Sequence, residues 1–188
     1  ALARIRSLEA LRYQAPGEWG KLLGLDRVPE VKTLREKLGI LCADPERARA
    51  WSSTLARDWM EATPESAGTL YIDGHVRVYH GALTRLPRRY VSRERLCLRG
   101  TTDYWVNAMD GQPFFVVTRP VDDGLLSVLK EEIVPRLQTE VPGQPGAEAL
   151  AADPLQHRFT IVFDREGYSP KFFSAMREKR IAVLTYHK

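Results

Sequence analysis

Residues His157–Ser169 read HRFTIVFDREGYS, and the rest of the chain can be placed around them. Phe159–Phe163 is a run of β-branched and aromatic residues without a charge, the composition of a strand buried on both faces of a sheet. It ends on an acid, Asp164. Gly167 then permits a turn, Ser169 is a good helix N-cap, Pro170 suits the first helical position, and KFFSAMREKR continues at helical spacing. Asp164 is therefore predicted at the carboxyl end of a buried strand, just before a strand-to-helix turn. At that edge of an open α/β sheet the loops are exposed and the strands beneath them rigid, so ligands and chemistry collect there. An acid in this position is also a common solvated turn former, and its meaning depends on what other strands bring beside it.

The 188 residues are 44% hydrophobic and 28% charged, which is globular composition. No run approaches the ~18 apolar residues that span a bilayer, so a soluble protein without a membrane partner is expected. The opening ALARIRSLEALRYQ has no initiator Met and no apolar core followed by a cleavage site, and reads as the interior of a longer chain. Cys42 and Cys97 make neither a disulfide framework nor a metal-ligand spacing, which points to a reducing, cytoplasmic setting.

The net charge of +4 is unevenly placed. Residues 1–67 hold 11 basic against 10 acidic residues and residues 120–188 hold 9 against 10, while residues 68–119 hold 8 against 4. All eight of those basic residues are arginines, and most fall at Arg85, Arg88, Arg89, Arg93, Arg95 and Arg99. Guanidinium forks match phosphate geometry, so these six form a candidate phosphate-binding patch; a solvated loop is the plainer alternative.

Residues 1–66 read as a helical region. PEVKTLREKLGIL places Val31, Leu34, Leu38 and Leu41 on one stripe, and Asp44-Pro45 opens a helix with Ala48, Trp51, Leu55 and Trp59 on one face. Both stripes read as core-facing. Thr63–Gly68 is a turn-rich break and the expected boundary of a second region, residues 67–188.

From Thr69 the texture changes. TLYIDGHVRVYHG is either an Asp-Gly hairpin or one long strand with Gly74 as a bulge beside Asp73. TTDYWVNAMDGQPFFVVTRP is two strands about Asp110-Gly111. A helix on Leu125, Leu126, Leu129 and Ile133 follows, then a Pro- and Gly-rich connector over 138–156 read as a surface excursion. The strand and helix of the opening stretch come next, and a last strand, Ile181–Tyr186, closes the order.

That order, with one acid on the first strand and another after the fourth, resembles the ribonuclease H-like fold of DDE transposases and retroviral-type integrases. The words IDGHVRVYHG, LRGTTDYWVNAMDGQPF and VFDREGYSPKFF resemble more narrowly a group of bacterial insertion-sequence transposases. The resemblance implies an α/β mixed sheet of about five strands with flanking helices. It favours the long-strand reading of TLYIDGHVRVYHG. It makes Asp73 and Asp164 the first two catalytic and metal-binding acids, holding Mg²⁺ or Mn²⁺ for DNA strand cleavage and strand transfer. It implies DNA partners, both element ends and target, and a homo-oligomer assembled on DNA. The third acid of such proteins, a Glu on a later helix, has no counterpart before Lys188, so a truncated core, inactive alone, is expected. Glu166 more naturally occupies the turn, and His75 a strand surface. A non-catalytic DNA-binding or assembly module from a decayed element, or another ribonuclease H-like nuclease, are the competing readings.

Overall fold

The computed structural model describes residues 7–92 and 94–187. The chain forms two compact units, residues 1–51 and 52–188.

The first unit holds a 3-10 turn at Leu8–Tyr13, α1 (Pro16–Leu22), α2 (Val31–Cys42) and the start of α3 (Pro45–Ala62). Pro16 and Pro45 sit where a missing N–H costs nothing. Gly24 at φ +70° reverses the chain after α1. The expected apolar stripes are not the buried ones. On α2 only Val31 is buried, and Leu38 and Leu41 are exposed. On α3 Trp51 and Trp59 are exposed, and the neighbouring stripe of Ala56 and Met60 is buried instead. Helical spacing defines stripes, but shape decides which packs, and a small Ala with a pliable Met fits closely where two indoles would not.

After a short helix, α4 (Pro64–Ala67), the second unit is built on β1 (Thr69–Val78), β2 (Arg88–Val91), β3 (Leu96–Asn107), β4 (Pro113–Pro120), β5 (Thr160–Phe163) and β6 (Ala182–Leu184). β3 lies antiparallel to β1 and to β4, whereas β5 is parallel to both β1 and β6. Read across, the order is β4-β3-β1-β5-β6, three antiparallel strands followed by two parallel ones. This mixed α/β sheet has the strand order and senses of a ribonuclease H-like fold. The sixth strand, β2, pairs with the first residues of β3 and lies inside the arginine-rich segment, where no strand was expected.

β1 settles the Asp-Gly question. The β1–β3 ladder keeps one register from Tyr71↔Asn107 to Val78↔Gly100, so residues 73 and 74 form neither a hairpin nor a bulge. Gly74 serves close packing: a Cβ there would stand 3.0 Å from Cε1 of Tyr104, its register partner. At Asp110-Gly111 the hairpin does form, with Gly111 at φ +87°.

One face of the sheet carries Leu70, Ile72, Tyr104, Val106, Phe115, Val117, Ile161 and Phe163. Their core is completed by Leu125 and Val128 of α5 (Leu125–Val128), by Val134 and Leu137 of α6 (Val134–Glu140), and by Phe172 and Met176 of α8 (Pro170–Glu178). Between α5 and α6 a π-turn, Leu129–Ile133, widens the helix so that Val134 N–H reaches the Leu129 carbonyl. Pro135 explains it, since its ring lacks an N–H and clashes with the preceding turn of a regular helix. β5 is not buried on both faces as expected: Ile161 and Phe163 are buried, but Thr160 and Val162 only half-buried. The connector also contains α7 (Ala147–Ala152), whose Leu150 is buried. Arg180 holds that segment by donating to the carbonyls of Leu150 and Pro154, each at 2.9 Å.

Candidate active site on the exposed face of the sheet

Parallel pairing of β1 with β5 ends at Ile72↔Phe163. Asp73 and Asp164 are each the next residue, and Asp164 is still extended at φ −72°, ψ 172°. Their backbones are therefore neighbours at the strand spacing of about 4.8 Å. Ile72 is buried, so alternation along β1 turns Asp73 to the opposite face, while Asp164 stands just beyond the last residue of β5; both acids are exposed. Asp164 is held in place: one carboxylate oxygen accepts the Glu166 N–H at 2.9 Å, and its carbonyl accepts the Thr185 hydroxyl at 2.9 Å. Ser169 caps α8 beyond the turn, with Pro170 at its first position, as the sequence predicts. Two strands remote in sequence thus bring the backbones of two acid-bearing positions side by side.

Glu166 is otherwise engaged. Its Oε1 accepts Arg89 Nη2 at 2.7 Å, and Arg89 Nη1 donates to the Val121 carbonyl at 3.3 Å. This pair borders a cleft of about 580 Å³ lined by Gly74, Thr102, Tyr104, Arg89, Asp164 and Glu166; Asp73 is not on its wall. Tyr104 donates its hydroxyl to the Asp123 carbonyl at 2.8 Å. Burial, and then the Glu166 charge, push the Tyr104 phenol above its usual range.

The arginines do not share one surface. Arg88 and Arg99 are register partners across β2 and β3, two exposed cations side by side. Arg89, alternating with Arg88, turns to Glu166. Arg85 is exposed in the β1–β2 connection and Arg95, at φ +54°, in the β2–β3 turn. Arg93 lies outside the described residues.

Two further charged residues escaped the sequence reading. Arg77 alternates with Asp73 and His75 on the exposed face of β1, all three being exposed. Its Nε is ion-paired with Oδ2 of Asp103, the β3 partner of His75, and Oδ1 of Asp103 accepts the Thr118 hydroxyl at 2.8 Å. The only hint in the sequence is the acid placed inside TTDYWVN, at an even spacing from Trp105.

Two exposed carboxylates at adjacent register positions are hard-oxygen donors of the kind Mg²⁺ and Mn²⁺ take, with water and phosphate filling the remaining positions. Among the described residues no three His, Cys, Asp or Glu side chains cluster to hold a metal ion. The donor set fits such an ion in kind and would supply part of its shell.

A ribonuclease H-like sheet with one acid inside β1 and another just after β5 defines the class. The chain belongs to the family described as "Transposase protein", whose model matches residues 1–188. No curated protein matches the sequence. Among solved structures, one similar to this chain is the "Mos1 transposase paired-end complex with left transposon end", with 9% identity and a TM-score of 0.37, covering 95% of this chain and 57% of that one. Another is the "Crystal structure of a pre-cleavage Mos1 transpososome", with 9% identity and a TM-score of 0.38, covering 95% and 58%. The chain thus spans less than three-fifths of the length of either.

Proposed function

We propose that this chain carries the catalytic sheet of a transposase that cleaves and joins DNA strands with Mg²⁺ or Mn²⁺, acting in the cytoplasm on element ends and target DNA as a homo-oligomer. The observation that carries the reading is the position of Asp73 and Asp164, one residue beyond the Ile72↔Phe163 pair on adjacent parallel strands. Exposure of both acids leaves them open to an ion and a phosphodiester together.

The residues have separable tasks. Asp73 and Asp164 would hold the metal, and the Glu166 N–H bond fixes the carboxylate of Asp164 so that its second oxygen stays available. A divalent ion bound there polarises a phosphodiester and lowers the pKa of an attacking water or hydroxyl. Arg88 and Arg99 would hold the DNA backbone. Like charges directly opposite across a ladder are destabilising, and a phosphate between the two guanidiniums relieves that repulsion.

A second reading, a DNA-binding or assembly module without chemistry, is favoured by one observation: Glu166, the nearest further carboxylate in sequence, is tied to Arg89. Titration with Mn²⁺ followed by its electron paramagnetic resonance signal separates the two. Binding to the wild type that is lost in both Asp73→Asn and Asp164→Asn, together with DNA nicking that disappears in the same variants, supports catalysis. DNA binding that persists with no Mn²⁺ bound in any form supports the module.

A further inference from the structure

Arg77 and Asp103 form an ion pair of unequal partners: the Arg77 side chain is 65% exposed and that of Asp103 only 6%. A carboxylate withdrawn this far from water needs compensation, which Arg77 Nε and the Thr118 hydroxyl supply. An ordinary surface pair holds two mobile side chains and contributes little. Here one partner is anchored on the central strand of the antiparallel half, so the exposed guanidinium is held from behind. Among the described residues neither terminal nitrogen of Arg77 donates a hydrogen bond, which leaves that end of the fork for another acceptor. Arg89 differs, since both of its terminal nitrogens already have partners.

The place of Arg77 matters as much as its geometry. It lies four residues along β1 from Asp73 on the same face, about 13 Å at the rise of a strand. Along that face Tyr71 is 42% exposed and His75 is exposed, so nothing among the described residues covers the path between them. Phosphates of one DNA strand advance about 3.4 Å each along the duplex axis, so the distance corresponds to about four nucleotide steps.

We infer that Arg77, oriented by Asp103, is a phosphate-binding residue that positions the DNA backbone about four nucleotides from the phosphate at Asp73 and Asp164. The inference rests on the transposase reading above and adds to it the direction in which the strand runs across the sheet. Asp103 touches no substrate and is a positioning residue. Arg77 contributes a contact at the acid-bearing face, separate from Arg88 and Arg99 on the β2–β3 ribbon.

The test is fluorescence anisotropy of the full chain with a labelled 30-base-pair duplex of arbitrary sequence, titrated over a range of salt. Arg77→Gln is expected to weaken binding about tenfold at low salt and to reduce the log–log salt slope by about 0.9, one phosphate's worth. Asp103→Asn gives the sharper sign. It makes the protein more positive, so electrostatics alone would tighten DNA binding, whereas loss of an oriented Arg77 weakens it. Weakened binding by both variants, with circular dichroism like that of the wild type, supports the inference. An unchanged slope in Arg77→Gln, or tighter binding by Asp103→Asn, overturns it while leaving the transposase reading in place. Should Asp103→Asn not fold, Arg77→Gln decides alone, because that side chain is exposed. A wild type that binds no duplex at all overturns both.

Discussion

Glu166→Gln tests how the site is wired. In the wild type Glu166 accepts Arg89 Nη2 at 2.7 Å, with side chains 43% and 48% exposed for Arg89 and Glu166. A pair this exposed contributes about 0–1 kcal/mol, so the variant should fold with little change in stability. Its electrostatic effect is larger. Both terminal nitrogens of Arg89 are occupied in the wild type, which leaves it no fork for a phosphate; with the Glu166 charge removed it should neutralise one more phosphate and steepen the log–log salt slope by about 0.9. Between ~50 and ~200 mM salt the variant should therefore lose about 3.5-fold more affinity than the wild type, while binding more tightly at the low end. Metal affinity should change less than about threefold, since Arg89 already cancels the Glu166 charge and salt screens the remainder. Loss of a true metal ligand exceeds the 10- to 100-fold typical of losing an outer partner. Anisotropy over a salt series and Mn²⁺ titration on the same preparation read both quantities. A tenfold or greater loss of Mn²⁺ affinity would refute the argument that Arg89 holds Glu166 out of the metal site, and an unchanged slope would refute its release toward DNA.

Two predictions concern the scaffold. Arg136 and Glu140 form a buried pair, Nε to Oε1 at 2.7 Å, with the guanidinium 3.8 Å over the Phe115 ring; Glu140→Ala leaves that cation uncompensated and should cost about 3–5 kcal/mol, read as a lower urea midpoint. Tyr104 resists ionisation in the folded state, so below about pH 10 it is neutral folded or unfolded, and above that the unfolded chain ionises first. Stability should fall as pH rises through that window, and Tyr104→Phe should show a shallower fall in urea midpoints measured from pH 9 to 11.

Much of the second unit was legible in the chain. The apolar run Phe159–Phe163, the Ser169-Pro170 helix start and the Asp110-Gly111 turn are local signals, because each depends on backbone and side-chain preferences of neighbouring residues. The adjacency of the strands that carry Asp73 and precede Asp164 was approached through the resemblance, since no local pattern says that residue 72 will lie beside residue 163. Asp73-Gly74 shows how local and distant forces compete. The dipeptide favours a two-residue turn, but the ladder to β3 and the Tyr104 ring over Gly74 favour an unbroken strand, and many cooperative hydrogen bonds outweigh one turn preference.

Local signals in the chain placed most strand and helix starts, β2 excepted, and the concentration of charge, because periodicity, caps and turn chemistry act over a few residues. Packing between distant segments set which stripe of α3 is buried, that Arg88 and Arg99 stand together while Arg89 turns to Glu166, and that Asp103 backs Arg77 on the face of Asp73. The placements on the sheet follow from strand register. A shift by one residue would send every side chain to the other face, and register is set by contacts between segments tens of residues apart.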